Sequence, residues 1–137
     1  MSEDKYFAQV SSEVAYREAA NDNLDVVLPE PYDLFLDIDN EADMCRFDRG
    51  MDIVIKHFNG QVIKSTPSRS GLPKRHIIVR LDRPVTNAER IALQAALGSD
   101  PVREILGIVR VQHNDPHPTL FLEKKSEITP LDVDLLC

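Results

Sequence analysis

Two aspartates separated by one residue end the apolar segment Leu34–Asp39. Alternate side chains of a strand share a face, so Asp37 and Asp39 are predicted to project from the same side. Two neighbouring carboxylates repel each other unless a cation lies between them, and Mg²⁺ or Mn²⁺ prefers such oxygen ligands. Pairs of this kind occur in two-metal phosphoryl-transfer sites. The pair therefore predicts a divalent-metal site, with loop solvation or helix capping as the structural alternative.

His76 is the second candidate, because it lies in a predicted strand directly after a polar loop. Hydroxyls and backbone N–H groups of such a loop can bind phosphate oxygens, and basic side chains add charge. The predicted substrate-binding residues around His76 are Ser68, Ser70, Gly71, Lys74 and Arg80. We expect a phosphate-bearing substrate here, and a solvated hairpin is the alternative.

The segment 113–117 forms a third cluster, with His113, Asp115 and His117 at tight spacing. These are metal-ligand types, but a structural role in a proline-flanked loop is the favoured interpretation. His117 and Thr119 also match one half of the paired His-x-Thr signature of two-histidine phosphoesterases. The other half would have to begin at His76, where no hydroxyl residue follows at the required position.

Length and composition predict one globular domain. The chain has 137 residues, of which 42% are hydrophobic and 28% charged. No apolar run is long enough for a membrane helix, and the acidic N-terminus lacks the layout of a signal peptide. The two cysteines lack metal-site spacing and are expected to be reduced. We therefore expect a cytoplasmic protein without a membrane partner.

The net charge of −7 argues against a general nucleic-acid coat, but the charge is unevenly distributed. Residues 1–58 are mostly acidic, whereas residues 60–83 carry several basic side chains and only one acid, Asp82. A short basic strip beside an acidic pocket suits a polyphosphate with its metal better than a long duplex.

Hydrophobic periodicity and turn residues predict the order of the elements. The N-terminal region 1–32 combines a helix at 5–21 with a connector and a short strand at 24–28. The following strands are predicted at 33–39, 61–66, 74–82 and 119–122, with helices from Asn40 to Asn59 and from Thr86 to Leu97, and a short segment at 100–110. From residue 33 this is the β-α-β-β-α-β order of an α+β, ferredoxin-like or RNA-recognition-motif fold, with an added N-terminal helix. The domain proper would span 33–125, and 126–137 would be its C-terminal extension.

Taken in order, these motifs resemble the archaeo-eukaryotic primase superfamily, in particular small phage and plasmid primase-polymerases. The strand ending in Asp37-Ile38-Asp39 is similar to the family's acidic strand. The hairpin from Ser68 to His76 is similar to its serine-histidine motif. The segment Leu97–Pro101, followed by Arg103 and Arg110, is similar to a later acidic motif of phage relatives. The resemblance covers about residues 33–123.

This resemblance implies a palm domain of a nucleotidyltransferase in DNA replication, as a minimal palm, as a subunit completed by a partner, or as an inactive descendant. Asp37, Asp39 and Asp100 would hold two Mg²⁺ or Mn²⁺ ions, with Glu104 or Asp115 as rival third ligands. His76 would act in catalysis by contacting a nucleoside triphosphate. The substrate-binding set would also include Arg110. Further expected partners are a single-stranded DNA template and a replication partner, either a helicase or a second primase module.

Two other functions remain open from the sequence. One is a non-catalytic module that binds nucleic acid or protein on an open sheet face containing Phe35 and Ile78. The low aromatic content of 6% makes single-strand binding by base stacking the weaker form of this alternative. The other is the two-histidine phosphoesterase, which would need no metal.

Overall fold

The computed structural model describes residues 7–68, 71 and 74–125. The helices are α1 (Ser12–Asp22), α2 (Glu41–Phe58), α3 (Asn87–Ala96) and α4 (Pro101–Gln112). The strands are β1 (Leu24–Val27), β2 (Asp33–Ile38), β3 (Gln61–Pro67), β4 (Arg75–Arg80) and β5 (Phe121–Lys124). Helices and two small antiparallel sheets make this an α+β fold, as predicted. None of the described helices is both long and apolar enough to cross a membrane.

Three predicted features lie outside the described residues. They are the start of the N-terminal helix at residues 5 and 6, the loop residue Ser70, and the C-terminal extension 126–137. Residues 7–10 are helical and are separated from α1 by a break at Ser11, so the predicted N-terminal helix is interrupted.

A three-stranded antiparallel sheet in the order β2-β4-β3 forms the centre of the fold. The β2–β4 register runs from Asp33 opposite Arg80 to Ile38 opposite Arg75. On one face of β2, alternate residues are almost completely buried against α2. The side chains of this layer are Leu34, Leu36 and Ile38 from β2 and Phe47, Met51 and Val54 from α2. Burial of this apolar layer fixes which side chains of β2 face away from the core.

The predicted ends of α2 and the start of α3 are confirmed. The side chain of Asn40 accepts a hydrogen bond from the backbone N–H of Asp43 at 2.9 Å. Asn59, in the left-handed region at φ 49°, ends the helix. Thr86 and Glu89 form the predicted capping box at the start of α3. These local signals are readable from sequence because each satisfies backbone groups within one turn.

The last predicted strand forms at Phe121–Lys124, but it pairs with β1 and not with β2. The resulting two-stranded ribbon β1–β5 lies over the second face of the central sheet. There Phe121 and Val27 pack against Phe35 and Ile78, which are only 1% and 7% exposed. The prediction that Phe35 and Ile78 form an open binding face is therefore wrong, because the ribbon covers them.

Side chains from α3 and α4 close the edge of β2 that does not pair with β4. The backbone N–H of Phe35 donates to Oε1 of Gln94 at 2.7 Å, and its carbonyl oxygen accepts from Nη1 of Arg103 at 2.7 Å. The carbonyl oxygen of Asp33 accepts from Nε of Arg90 at 2.7 Å. Because buried backbone groups must find partners, this edge is satisfied without a further strand.

The segment predicted at 100–110 is the helix α4, and a tight turn places its first residue against the sheet. Asp100 caps the helix by accepting from the N–H of Val102 at 3.0 Å, and Pro101 occupies the first turn. Gly98 has φ +88°, and a Cβ atom there would lie 2.6 Å from the carbonyl oxygen of Asp43. Only glycine fits this turn without displacing the backbone.

Replacing Gln94 with leucine is expected to destabilise the fold by about 2–4 kcal/mol. Gln94 is completely buried, and leucine would leave the N–H of Phe35 and the carboxylate of Glu104 without this partner. Urea denaturation measures the change in the free energy of unfolding. The control Gln112→Leu, on an exposed position of α4, should change it by less than about 0.5 kcal/mol. Equal effects of the two variants would contradict a role for Gln94 in closing the edge.

Candidate functional site

A cleft at one end of β2 and β4 contains most of the residues that the sequence singles out. Asp37 lies directly opposite His76 in the ladder, and Nε2 of His76 is 4.0 Å from Oδ1 of Asp37. Side chains directly opposite each other in an antiparallel pair share a face of the sheet. Asp39 follows just after the last residue of β2. The two strands therefore place these three side chains at the same end of the sheet.

Asp100 joins this group although it lies far along the chain. Its backbone N–H donates to the carbonyl oxygen of Asp37 at 2.8 Å, and the N–H of Asp37 donates to the Ser99 hydroxyl at 3.0 Å. One carboxylate oxygen from each of Asp37, Asp39 and Asp100 lies within 4.8 Å of the others. By ligand type and by spacing, the three side chains fit a hard divalent cation such as Mg²⁺ or Mn²⁺.

Burial and the neighbouring negative charges both affect the pKa of Asp39. Burial raises the pKa of Asp39, and the neighbouring charges of Asp37 and Asp100 raise it further. The ammonium group of Lys74 lowers that pKa but does not cancel the increase. A cation held by the three carboxylates would favour the charged form of Asp39 and reverse the shift.

His76 is held by contacts on several sides. Its ring stacks on Phe121 of β5, with 4.0 Å between the ring centroids and 1° between the planes. Nδ1 of His76 lies 3.5 Å from Oε2 of Glu123, whose Oε1 accepts from Nζ of Lys64 at 2.9 Å. The nearby His76 ring lowers the pKa of Glu123, burial raises it, and the neighbouring Lys64 lowers it; the net effect is a lowered pKa. Glu123 is therefore held in its charged form beside the ring.

Two adjoining clefts meet at His76. The one that contains the three carboxylates has a volume of about 290 Å³ and is also lined by Lys74 and Arg103. The other, of about 460 Å³, lies between β3 and β5 and is lined by Lys64 and Gly71 among others. Both clefts are lined by Ser68, His76 and Leu122. Of the predicted phosphate-binding residues, Ser68 and Lys74 thus line the cleft with the carboxylates, and Gly71 lines the adjoining one.

Arg80, a predicted substrate-binding residue, does not reach this cleft. It lies at the opposite end of the β2–β4 ladder, opposite Asp33. Its Nε donates to Oδ1 of Asp33 at 2.8 Å, and its Nη2 donates to Oδ2 at 3.2 Å. Arg80 does share a strand face with His76, but four residues along a strand span about 13 Å. The assignment of Arg80 to the site is therefore corrected to a structural ion pair.

Arg110 and Asp115 also have structural partners away from the cleft. Arg110 donates to the backbone carbonyl oxygens of Val10 at 2.7 Å and Pro118 at 3.2 Å, and burial lowers its pKa. Asp115 accepts from the backbone N–H of Ser12 at 2.7 Å and from its hydroxyl at 2.5 Å. Both side chains tie the N-terminal segment to the loop after α4. The structure therefore corrects the predicted roles of Arg110 in substrate binding and of Asp115 as a rival metal ligand.

Glu104, the other rival third ligand, is buried and fully engaged. It accepts from Nε2 of Gln94 at 2.8 Å, from the Ser99 hydroxyl at 2.7 Å and from Nη1 of Arg103 at 2.7 Å. These bonds support the side chains that close the edge of β2. Asp100, and not Glu104, is the acid that faces Asp37 and Asp39.

The histidines at 113 and 117 do not share a described cleft with His76. His113 stacks on Phe7, with 4.2 Å between ring centroids, and its Nδ1 lies 2.9 Å from the carbonyl oxygen of Val109. His117 lies against Tyr16 of α1, with 5.7 Å between ring centroids. The pairing of His76 with His117 that a two-histidine phosphoesterase requires is not formed.

Sequence reasoning missed Glu123 and Lys64 and did not assign Arg103 to the cleft. Alternation within β5 indicates that Phe121 and Glu123 share a face. It does not indicate that this face lies on His76, because that depends on the pairing of β5 with β1. Arg103 stood in the third motif of the family resemblance, which was the available signal for it.

Replacing Asp39 with asparagine is expected to stabilise the metal-free protein at pH 7, because the charged Asp39 is unfavourable in its folded surroundings. Protonation of Asp39 stabilises the folded state, because the pKa of Asp39 is raised there. This stabilisation is complete below the unfolded pKa of about 3.9 and is lost as the pH rises through the folded pKa. Thermal denaturation with a chelator should show the gain at pH 7 and a smaller gain near pH 3.5. The exposed control Asp52→Asn should show no such pH dependence. A gain independent of pH would contradict this origin.

Comparison with known proteins gives no function that could be transferred to this site. No family model, curated protein or solved structure matches this chain. The cleft itself offers three carboxylates, one imidazole and one lysine within a small volume. Any function must be inferred from what that set of groups can bind.

Proposed function

We propose that this protein is a nucleotidyltransferase palm domain of the archaeo-eukaryotic primase type, which binds a nucleoside triphosphate together with two divalent metal ions. One observation carries the proposal. Residues from three separate motifs, Asp37 and Asp39, His76, and Asp100, line one cleft, and acids grouped in this way are the ligand type that two-metal phosphoryl-transfer sites use.

Asp37, Asp39 and Asp100 would hold Mg²⁺ or Mn²⁺. The fit rests on their oxygen ligands, which lie within 4.8 Å of one another; burial first, and then the charges of Asp37 and Asp100, raise the pKa of Asp39. When bound, ions of this class activate an attacking hydroxyl and neutralise charge on the transferred phosphoryl group. The site supplies this ligand set from a strand end and a helix N-terminus, both of which are anchored by backbone hydrogen bonds.

The other residues of the cleft would bind and orient the triphosphate. Lys74 brings positive charge beside the carboxylates, and Nε2 of His76 faces the same space. Ser68 lines both clefts, and Gly71 lines the one on the far side of His76. Arg103 lines the cleft too, but its guanidinium already donates to Phe35 and Glu104. We therefore assign triphosphate contacts to His76 and Lys74 first.

The central sheet supports a ferredoxin-like palm as the proposed fold. Strand order β2-β4-β3, with α2 between β2 and β3, is the order of three of the four strands in that arrangement. We propose a variant of this fold in which the fourth strand, β5, does not pair with the edge of β2. In the same proposal, a single-stranded DNA template and a helicase or second primase module would be the partners in replication.

Calorimetry with Mn²⁺ and ATP tests the proposed function. The wild-type chain should bind ATP only when Mn²⁺ is present. Asp37→Ala or Asp100→Ala should weaken Mn²⁺ binding by about 100-fold or more, because loss of a direct metal ligand costs at least as much affinity as loss of a residue that supports a ligand. Asp37→Ala should leave the fold intact, since the backbone of Asp37, and not its carboxylate, bonds to Ser99 and Asp100.

The exposed control Asp52→Ala should bind Mn²⁺ and ATP like the wild type. ATP binding of equal strength in a chelator would show that the site recognises phosphate without metal. No binding by the folded wild type under any of these conditions would refute the proposal.

A further inference from the structure

His76 could present either ring nitrogen to the cleft, because its ring can rotate by a half turn about the bond to Cβ. The described contacts select one of the two orientations. Nδ1 lies towards Glu123 at 3.5 Å, while Nε2 lies towards Asp37 at 4.0 Å. The histidine side chain is only 12% exposed and the glutamate 15%, so water competes little with their contact.

Glu123 is itself held in place by its neighbours. Its Oε1 accepts from Nζ of Lys64 on β3 at 2.9 Å, which leaves Oε2 towards the imidazole. Phe121, two residues earlier on the same strand, stacks on the flat face of the ring. Alternate residues of β5 therefore contact His76 in two ways: Phe121 stacks on the plane of the ring, and Glu123 selects which of the two flipped orientations the ring takes in that plane.

We infer that Glu123 is a positioning residue, which accepts from Nδ1 of His76 and so directs Nε2 into the cleft towards a bound phosphate. The role in phosphate binding rests on the proposed function, whereas the orientation of the ring does not. An imidazole with protons on both nitrogens can donate through both, so Nδ1 serves Glu123 and Nε2 remains for a phosphate oxygen. Lys64 supports this arrangement from β3 without contacting the cluster of carboxylates.

Without Glu123, either orientation of the ring becomes available. The nitrogen that faces the cleft would then vary, and a phosphate would have to select the competent orientation at a cost in affinity. Supporting groups of this kind, behind a residue that contacts the ligand, are typically worth about 10-fold to 100-fold in affinity or activity. The carboxylates that would bind metal do not contact Glu123, so metal affinity should be independent of it.

Three variants of the full chain test this inference. Glu123→Ala removes the acceptor, Glu123→Gln keeps a carbonyl acceptor without charge, and Asp25→Ala is the matched control. Asp25 is exposed and stands directly opposite Glu123 in the β1–β5 ladder, so it changes the charge of the same ribbon. The probes are Mn²⁺ alone, ATP with Mn²⁺, and the ¹⁵N resonances of the His76 ring.

In Glu123→Ala, ATP affinity in Mn²⁺ should fall by about 10-fold, while affinity for Mn²⁺ alone stays unchanged. The Nδ1 resonance of His76 should lose the signature of a hydrogen-bonded N–H. Glu123→Gln should retain that resonance and recover most of the ATP affinity, and Asp25→Ala should change none of the three readouts.

Unchanged ring resonances in Glu123→Ala would overturn the inference, whatever happens to ATP binding. An equal loss of Mn²⁺ affinity would overturn it too, because it would indicate general disruption of the cleft. If the wild type binds no ATP but the ring still responds to Glu123, the positioning role stands and the proposed function fails. Should Glu123→Ala not fold, Lys64→Ala carries the comparison, because it removes the contact that holds Glu123; a weaker Nδ1 signature is expected in it, and an unchanged one would overturn the inference.

Discussion

The edge of β2 that faces away from β4 is closed by the polar groups of α3 and α4, and the candidate site depends on this closure. Phe35 bonds to Gln94 and Arg103, and Asp37 bonds to Ser99 and Asp100. A buried strand edge without partners would cost about 1–3 kcal/mol for each orphaned group, so these bonds are obligatory. The same bonds that satisfy the strand bring a third carboxylate to the two on β2.

The short segment from Leu97 to Glu104 contains both structural residues and a residue of the candidate site. Gly98 permits the tight turn, Ser99 and Glu104 hold the strand edge, and Asp100 caps α4 while its carboxylate joins the cluster. Two acids four residues apart therefore have opposite roles. Glu104 is buried and saturated with donors, whereas Asp100 meets other carboxylates. Donors around a buried acid stabilise its charged form, whereas like charges beside an acid disfavour that form.

The features that sequence predicts well are those decided locally. The acidic strand, the Asn40 cap and the capping box at Thr86 follow from alternation and from hydrogen bonds within one turn. Arg80 shows the limit of such reasoning. Alternation correctly puts it on the face of His76, but it cannot show that Asp33, at the far end of the ladder, is the partner within reach. The meeting of Asp100 with Asp37 followed from the family resemblance and not from spacing.

The remaining features depend on competition between elements far apart in the chain. Because α3 and α4 already satisfy the edge of β2, β5 must find its backbone partners elsewhere, and β1 supplies them. If β5 extended the sheet beside β2, its side chains would project alternately from the two faces of that sheet. In the ribbon with β1, β5 instead lies across one face of the central sheet, and its residues Phe121 and Glu123 contact His76. The closure of one strand edge thus determines both the position of the Asp100 carboxylate and the contacts of β5 that hold the imidazole of His76.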